Sequence, residues 1–473
     1  MLKEPESTRR EFLKNGAKSG AAFAALGGIT FITEPRRVFG ANDRVRIAVI
    51  GVRGQGWAHV QEYSKIPGVE VAALCDVDEA ILNRRLGESE KLPMLKKPAG
   101  FGDFRKLLAD KNIDAVSIAT PNHWHALQAI MACQAGKDVY VEKPMSHHAF
   151  EGRQLVRAAE KYNRIVQHGT NSRSGKAVIE GIQKLRDGLI GEVYLARGLC
   201  YKWRDTIGRA KPESVPPGVN YDLWTGPAPM KPFTKNRFHY NWHWIWDTGD
   251  GDFGNQGIHE LDVARWGLGV KYPTKIAAIG AHVMFDDDQE TPNVLNVAYT
   301  FKTPDGKERV LEFEVRHWMT NHEADIGTAG FGGGVPAALG NQAEARAQKK
   351  VTGPQNTIGN IFYGSRGYMA MDGYDSFKTW LGEEQEPGPQ GKAGGNNWGN
   401  FIDCVRSRKK EDLNAPVQEG QISTTLLHLG NVAFRVGRTL NFDPVKLEVI
   451  GDAEANRLLR GSYRAPYVVP EQV

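Results

Sequence analysis

The run VYVEKPM at residues 139–145 ends an apolar, β-like segment on Glu142, Lys143 and Pro144. A lysine delivered at the end of a buried strand is a compact ammonium that can hydrogen-bond a substrate oxygen and exchange a proton, more easily if a second positive charge crowds it. Far along the chain, GNQGIHELDVARW (254–266) reads as a glycine-hinged loop passing into a helix. Asn255, His259 and Asp262 are spaced by four and three, which sets them on one side of that helix if it begins early. Lys143, His259 and Asn255 are the candidate catalytic residues. They can share the proton traffic of one reaction only if the fold brings the strand end and the helix together.

The elements that must do this alternate strand and helix patterns from residue 44. Strands are expected at 44–50, 69–75, 114–120, 137–142 and 164–169, with helical stretches such as HALQAIMACQAG between them, and parallel pairing with right-handed crossovers is the simple assembly. GVRGQG follows the first strand and supplies Gly51, Gly54 and Gly56; against the dinucleotide fingerprint GxGxxG, Arg53 replaces the second glycine. Backbone amides at the helix start can hold a pyrophosphate, and Asp76, ending the second strand, can accept from a ribose diol and repel a 2′-phosphate. NAD is the expected cofactor, with NADP the alternative; Asp76 could also be a plain helix N-cap.

The segment TPNHWH (120–125) closes the third of these strands, where ligands of open α/β sheets collect. The cofactor-binding set is therefore Gly51, Arg53, Gly54, Gln55, Gly56, Asp76, Thr120, Pro121, Asn122, His125, Glu142 and Lys143. His123 and His125 have no acidic or cysteine partners flanking them, and HELD at 259–262 lacks the second histidine of the HExxH zinc signature, so no metal is expected.

The chain of 473 residues is too long for one core. Its net charge is +5, and residues 1–40 hold seven basic and four acidic side chains, leaving about +2 for the rest. That is no footprint for nucleic acid. Residues 1–40, with TRREFLK ahead of GAAFAALGGITFI, resemble a twin-arginine export leader, which implies the twin-arginine translocon as a partner and a periplasmic or otherwise exported protein. A clear AxA cleavage site is missing, so an uncleaved leader could tether the protein to the membrane. This route carries folded proteins, so a tightly held cofactor is expected. Cys75, Cys133, Cys200 and Cys404 have neither metal spacing nor a disulfide pattern and read as core residues.

The glycine-rich turn, TPNHWH, AGKDVYVEKP and GNQGIHELD together resemble the Gfo/Idh/MocA family of nicotinamide-dependent oxidoreductases, in the manner of the glucose-fructose oxidoreductases. The resemblance implies an α/β fold: a Rossmann doubly wound parallel sheet (41–170), then an α+β domain with a large, mostly antiparallel open sheet (171–473). The boundary is expected near 165–175 and the active site between the domains. It also implies a catalytic role for Lys143, a peptide bond before Pro144 that is often cis, and a dimer or tetramer. The family pattern DxGxH has its aspartate and histidine facing the nicotinamide. His259 matches the histidine; Asn255 stands where the aspartate would be. A neutral amide orients without the Coulomb effect of a carboxylate, so His259 is expected to be a weak base and Lys143 to carry more of the proton traffic.

The stretch RFHYNWHWIWD (237–247) is dense in aromatic rings, which suit the C–H faces of a sugar but equally suit a strand face or an oligomer interface. Arg173, Trp244, Trp246 and Asp262 are the candidate substrate ligands. GTAGFGGGVPAALG (327–340) and EEQEPGPQGKAGGNNWG (383–399) are glycine- and proline-rich loops, either of which could cover the site. The leading expectation is oxidation of a secondary hydroxyl on a sugar, polyol or cyclitol, with hydride passing to NAD. The alternatives are an NAD-dependent glycosidase or lyase that oxidises C3 transiently with no net redox change, and a non-catalytic sugar-binding relative.

Overall fold

The computed structural model describes residues 44–93, 96–328 and 356–473. The leader and most of the 327–340 loop lie outside the described residues. The first sheet holds six parallel strands: β1 (Val45–Ile50), β2 (Val69–Cys75), β3 (Ala99–Phe101), β4 (Ala115–Ile118), β5 (Asp138–Val141) and β6 (Val166–His168). Between them run helices α1 (Gln55–Tyr63), α2 (Glu79–Ser89), α3 (Phe104–Leu108), α4 (Asn122–Gln134) and α5 (Ala149–Lys161). The order is β3-β2-β1-β4-β5-β6, which reverses direction between β1 and β4 and so opens a crevice at the carboxyl ends of those two strands. β3 was not expected from sequence; its three residues carry no apolar run, and two of them are exposed.

Side chains along these strands point alternately to two cores, as the period of two dictates. In β1, Ile47 and Val49 enter one core and Ala48 and Ile50 the other. Both faces are buried, so the strands read as continuous apolar runs.

The second sheet has eleven strands. After α6 (Lys176–Arg186) comes β7 (Val193–Lys202), then a long segment holding α7 (Tyr221–Thr225), α8 (Gly251–Asn255) and α9 (Gly257–Leu268). Strands β8 (Lys275–Ala281), β9 (Val294–Lys302), β10 (Glu308–His317), β11 (Asn356–Gly364), β12 (Gly367–Asp372) and β13 (Ser376–Leu381) follow. The short β14 (Glu386–Pro387) and β15 (Gly391–Lys392) pair with β13. Helices α10 (Asn397–Ser407) and α11 (Val417–Val436), strands β16 (Leu440–Asp443) and β17 (Glu448–Val449), and α12 (Ala453–Arg460) complete the chain. The path is β14-β13-β12-β11-β7-β10-β9-β8-β16-β17, and only β7 and β10 pair in parallel. One face is covered by α9 and α11, whose Ile258, Leu261, Leu426 and Leu429 pack with Tyr299, Phe313 and Phe362 of the sheet.

The division near residue 170 separates the two sheets but not the cores. Phe401 and Ile402 of α10 pack with Ile47 and Val49 of the first sheet, and Tyr467 and Val469 enter its other core. The chain therefore returns to the Rossmann half twice after leaving it.

Candidate active site

The crevice is a cleft of about 220 Å³. At one end lies the glycine turn. Gly51 has φ +82°, and a Cβ there would sit 2.8 Å from the Ala119 carbonyl oxygen; a Cβ on Gly56 would sit 1.8 Å from that of Gly51. Neither of these two positions has room for a side chain, which leaves main chain there at the start of α1, where Gly54 caps the helix without a side-chain bond. Arg85 holds the turn from behind, donating to the Val52 carbonyl (3.1 Å) and to that of Arg53. Asp76 follows β2 and accepts from the Val52 amide at 2.9 Å and the Asp78 amide at 3.1 Å. Burial pushes its carboxyl up to about 6 against those bonds. Gly51, Arg53, Gly54, Gln55 and Asp76 line the cleft, as do Thr120, Pro121, Asn122 and His125 from the β4–α4 corner; Gly56 does not, being packed against Gly51.

At the other end β5 delivers Glu142 and Lys143, and the Lys143–Pro144 bond is cis. Glu142 accepts from Gln55 Nε2 (3.2 Å) and lies 2.9 Å from His59 Nε2, whose Nδ1 meets Ser117 Oγ at 2.9 Å. Burial opposes its charge, but His59, then Lys143 and His259, outweigh that and hold the carboxyl at about 2. Lys143 Nζ donates to the main-chain carbonyl of Asn255 at 2.6 Å. Burial lowers the pKa of this ammonium, partly countered by Glu142 and Asp252.

Lys143 reaches Asn255 because the helix breaks there. α8 ends at Asn255 and α9 starts afresh, with the His259 amide donating to the Gln256 carbonyl at 3.1 Å. Asn255, Lys143 and Glu142 line the cleft. His259 does not. It stands behind, 5% exposed, against the Tyr374 ring at 4.9 Å, with Nδ1 making no hydrogen bond among the described residues. Burial, then the charge of Lys143, push it down to about 3, so it is neutral at working pH.

The aromatic stretch is neither a strand nor a uniform platform. Asn241–Trp244 is a single 3₁₀ turn in an irregular segment. Phe238, Tyr240, Trp242 and His243 line the cleft. Trp244 is buried to 1% against Arg204 and His317, and Trp246 faces a separate cavity under Arg435. His243 Nδ1 lies 2.6 Å from the Tyr240 carbonyl; a carbonyl only accepts, so Nδ1 carries the hydrogen and Nε2 keeps its lone pair. Burial, and then Lys143 and Arg204, hold this imidazole at about 3.

Arg173 and Asp262 fall outside the cleft. Arg173 Nε and Nη2 donate to the Asp262 oxygens at 2.6 and 2.9 Å, Glu419 takes a further bond from Arg173, and Ser423 donates to Asp262 at 2.5 Å. Their charges are spent on each other, and neither they nor Trp244 and Trp246, the other expected substrate ligands, line the cleft. His123 and His125 face carbonyls of Trp224, Thr248, Pro144 and Thr120.

Sequence reasoning missed His59 and Asp252, and it took in Tyr240 and His243 with the aromatic stretch without singling them out. The i,i+4 spacing of Gln55 and His59 pointed to the first, whereas His243 was one polar residue among five rings with no register to single it out. Asp252 is 0% exposed; Arg204, then His317, hold its carboxyl well below the usual range against burial.

Two family models match. One, described as oxidoreductase family, NAD-binding Rossmann fold, covers residues 45–170; the other, oxidoreductase family, C-terminal alpha/beta domain, covers 160–323 and 374–469. A glycosyl hydrolase family 109 protein of Shewanella baltica (strain OS195) is 32% identical over 201 residues, 39% of this chain and 44% of that protein. An alpha-N-acetylgalactosaminidase of Shewanella oneidensis is 32% identical over 152 residues, 32% of this chain and 33% of that one. The match thus spans less than half of these relatives' length. Among solved structures, the aldose-aldose oxidoreductase of Caulobacter crescentus complexed with glycerol superposes with TM-score 0.59 at 18% identity, over 84% of this chain and 100% of that one. Levoglucosan dehydrogenase in complex with NADH and levoglucosan gives 0.59 at 16%, over 84% and 99%. At such identities these two are similar in fold. With both halves matched by their own models, the chain belongs to the Gfo/Idh/MocA family of NAD-binding oxidoreductases.

Proposed function

We propose that this protein is an NAD-dependent enzyme that oxidises a secondary hydroxyl of a carbohydrate. The observation that carries the reading is Lys143, a half-buried ammonium at the cleft wall, tied to Asn255 by one of its three donors, with His243 lining the same cleft. The residues present fit a dinucleotide: Gly51 and Gly56 have no room for a Cβ, and Asp76 lines the same cleft, where its carboxylate would accept from a ribose diol. When bound, nicotinamide supplies the hydride acceptor at C4. Lys143 holds the substrate oxygen, and its lowered pKa brings the neutral amine, able to take the hydroxyl proton, closer to neutral pH. His243 Nε2 accepts from a second hydroxyl and orients the ring. His259, neutral, packs behind Lys143 without adding charge.

Retention of the cofactor is supported by the segment between β7 and α8, which roofs the cleft. His239 lies 2.9 Å from Asp78, and Asn220 N–H donates to the Val77 carbonyl at 2.9 Å. Export by the twin-arginine route is supported by TRREFLK and the apolar run after it. The test is a near-ultraviolet spectrum of the purified protein for bound reduced nicotinamide, followed by a screen of keto-sugars for bleaching. Bound nicotinamide that no sugar oxidises or reduces would refute the reading.

A second reading is favoured by the glycosidase names of the relatives at 32% identity. Here the same Lys143 and His243 would serve a transient C3 oxidation that acidifies the C2–H; loss of that proton expels the aglycone from C1, water adds at C1 as a proton returns to C2, and the hydride returns to C3. Release of aglycone from aryl glycosides without added NAD distinguishes it from net oxidation.

A further inference from the structure

Asp252 sits in α8 with its carboxylate saturated. Oδ1 accepts from Arg204 Nη2 at 2.9 Å and from Asn255 Nδ2 at 3.1 Å; Oδ2 accepts from Arg204 Nε at 2.9 Å and meets His317 Nε2 at 2.9 Å. The Asn255 carboxamide spends a donor on this buried carboxylate. Its own main-chain carbonyl, released by the helix break at Gln256, is the one that receives Lys143. One buried acid is thus linked through one residue to the ammonium at the cleft wall. Arg204 also donates to Tyr240 OH at 3.1 Å, so the same cluster fixes a second side chain of the cleft.

We propose that Asp252 is the positioning residue of Lys143. Its carboxylate fixes the Asn255 side chain, Asn255 fixes the end of α8, and the carbonyl at that end holds the ammonium. The negative charge absent from position 255 is carried three residues earlier. The catalytic meaning of this linkage rests on the function proposed above.

The groups facing Asp252 are Arg204, His317, Lys202, Lys143, His243, Cys200 and Glu260; those facing Lys143 are Glu142, Asp252, Arg204, Glu260, His243, His259 and His125. Removing the Asp252 charge takes away an attraction and leaves the repelling Arg204 charge without its paired carboxylate, while Glu142 and Glu260 remain. Both changes favour the neutral amine.

The test is competitive acylation of Lys143 in the intact protein across a range of pH, read by peptide mass spectrometry, which requires no turnover. In Asp252→Asn the midpoint of Lys143 reactivity is expected to fall by about one pH unit or more. An unmoved or raised midpoint overturns the proposal. Asn255→Asp sets two carboxylates about 3 Å apart, which cannot both ionise cheaply, so this variant should lose thermal stability as pH rises. Combining it with Asp252→Asn should recover that stability and return the Lys143 midpoint toward wild type. A single Asn255→Asp variant as stable as wild type at every pH counts against the linkage. Should Asp252→Asn fail to fold, Asn255→Ala removes the tether and leaves every charge. Lys143 should then be acylated several-fold faster at fixed pH, and unchanged acylation overturns the tether. A shifted midpoint in a protein that turns over no carbohydrate would keep this linkage and remove the proposed function; turnover with an unmoved midpoint would do the reverse.

Discussion

The His243 imidazole is held by Nδ1 against the Tyr240 main-chain carbonyl at 2.6 Å, and that contact decides which nitrogen carries the hydrogen. A tautomer fixed by backbone survives any change of substrate, so Nε2 is the lasting acceptor of a ring that lines the same cleft as Lys143. His243→Asn keeps a donor near the Tyr240 carbonyl and loses the distal acceptor. It is expected to lower kcat/KM on the order of 10²-fold while leaving dinucleotide affinity within a few-fold of wild type. Steady-state kinetics beside a fluorescence titration of NAD check this; an equal loss in both would make His243 a structural residue.

Lys143 and His259 should separate in their pH profiles. Lys143→Arg places a group that stays protonated at every working pH, so activity should fall on the order of 10² to 10⁴-fold and the rising limb of the rate profile should vanish. His259 is already neutral above about 3, so His259→Gln should lower the rate without moving that limb. If the limb shifts in His259→Gln and stays in Lys143→Arg, the roles are reversed.

Much of this site could be read along the chain because its parts are local. A strand ending in Glu142-Lys143-Pro144, a glycine turn and an acid ending β2 each announce themselves within a few residues, and the parallel sheet follows from apolar runs buried on both faces. The pairing of Arg173 with Asp262 could not be read, since residues 89 apart give no sign of meeting. A free Arg and a free Asp near a site look like substrate ligands until each is seen to satisfy the other. The same holds for α10, whose return to the first sheet depends on Phe401 and Ile402 finding Ile47 and Val49 across the chain. Asn255 was expected to act through its side chain; its carbonyl is what Lys143 uses, and no sequence pattern distinguishes the two.

Asp76 should make cofactor choice depend on pH. Its carboxyl is raised to about 6, so it is charged above that value and increasingly neutral below it. A charged Asp76 repels a 2′-phosphate; a protonated one does not. The preference for NAD over NADP should therefore grow as pH rises through about 6 and be lost in Asp76→Ser, where the ratio of dissociation constants should fall by on the order of tenfold. A ratio that is flat with pH in wild type would remove Asp76 from the discrimination.

Gly56→Ala tests the turn itself. With a Cβ only 1.8 Å from the Gly51 carbonyl, the start of α1 must shift away from β1. The expected result is a folded protein, destabilised by about 1–3 kcal/mol, with NAD affinity reduced at least tenfold. Unchanged affinity, measured by titration calorimetry, would mean that the turn does not carry the pyrophosphate.

Acid should unfold this protein early, and the histidines set the window. His123, His243 and His259 are held at about 3, and His168 and His428 at about 4, in each case first by burial. In the unfolded chain an imidazole titrates near 6.5, so the unfolded state binds more protons than the folded one throughout the interval between. The folded pKa lies below the unfolded one; the stability these groups contribute is complete above about 6.5 and is lost as pH falls toward 3 to 4. Each buried imidazole costs about 1.4 kcal/mol for every pH unit inside that window. Other groups oppose this: although burial disfavours its charge, Asp250 raises the pKa of His147, and burial raises the carboxyls of Asp76, Glu151 and Glu260 to about 6, 7 and 8, so their contributions grow as pH falls; they are outnumbered, because His125, His148 and His317 are lowered by burial alongside the five imidazoles above. Glu142, held at about 2, adds to the loss below about 4.5. Calorimetry should show Tm falling steeply between about pH 7 and pH 5, with His428→Gln flattening the slope; a Tm that is level or rising over that range would mean that these imidazoles are not buried neutral.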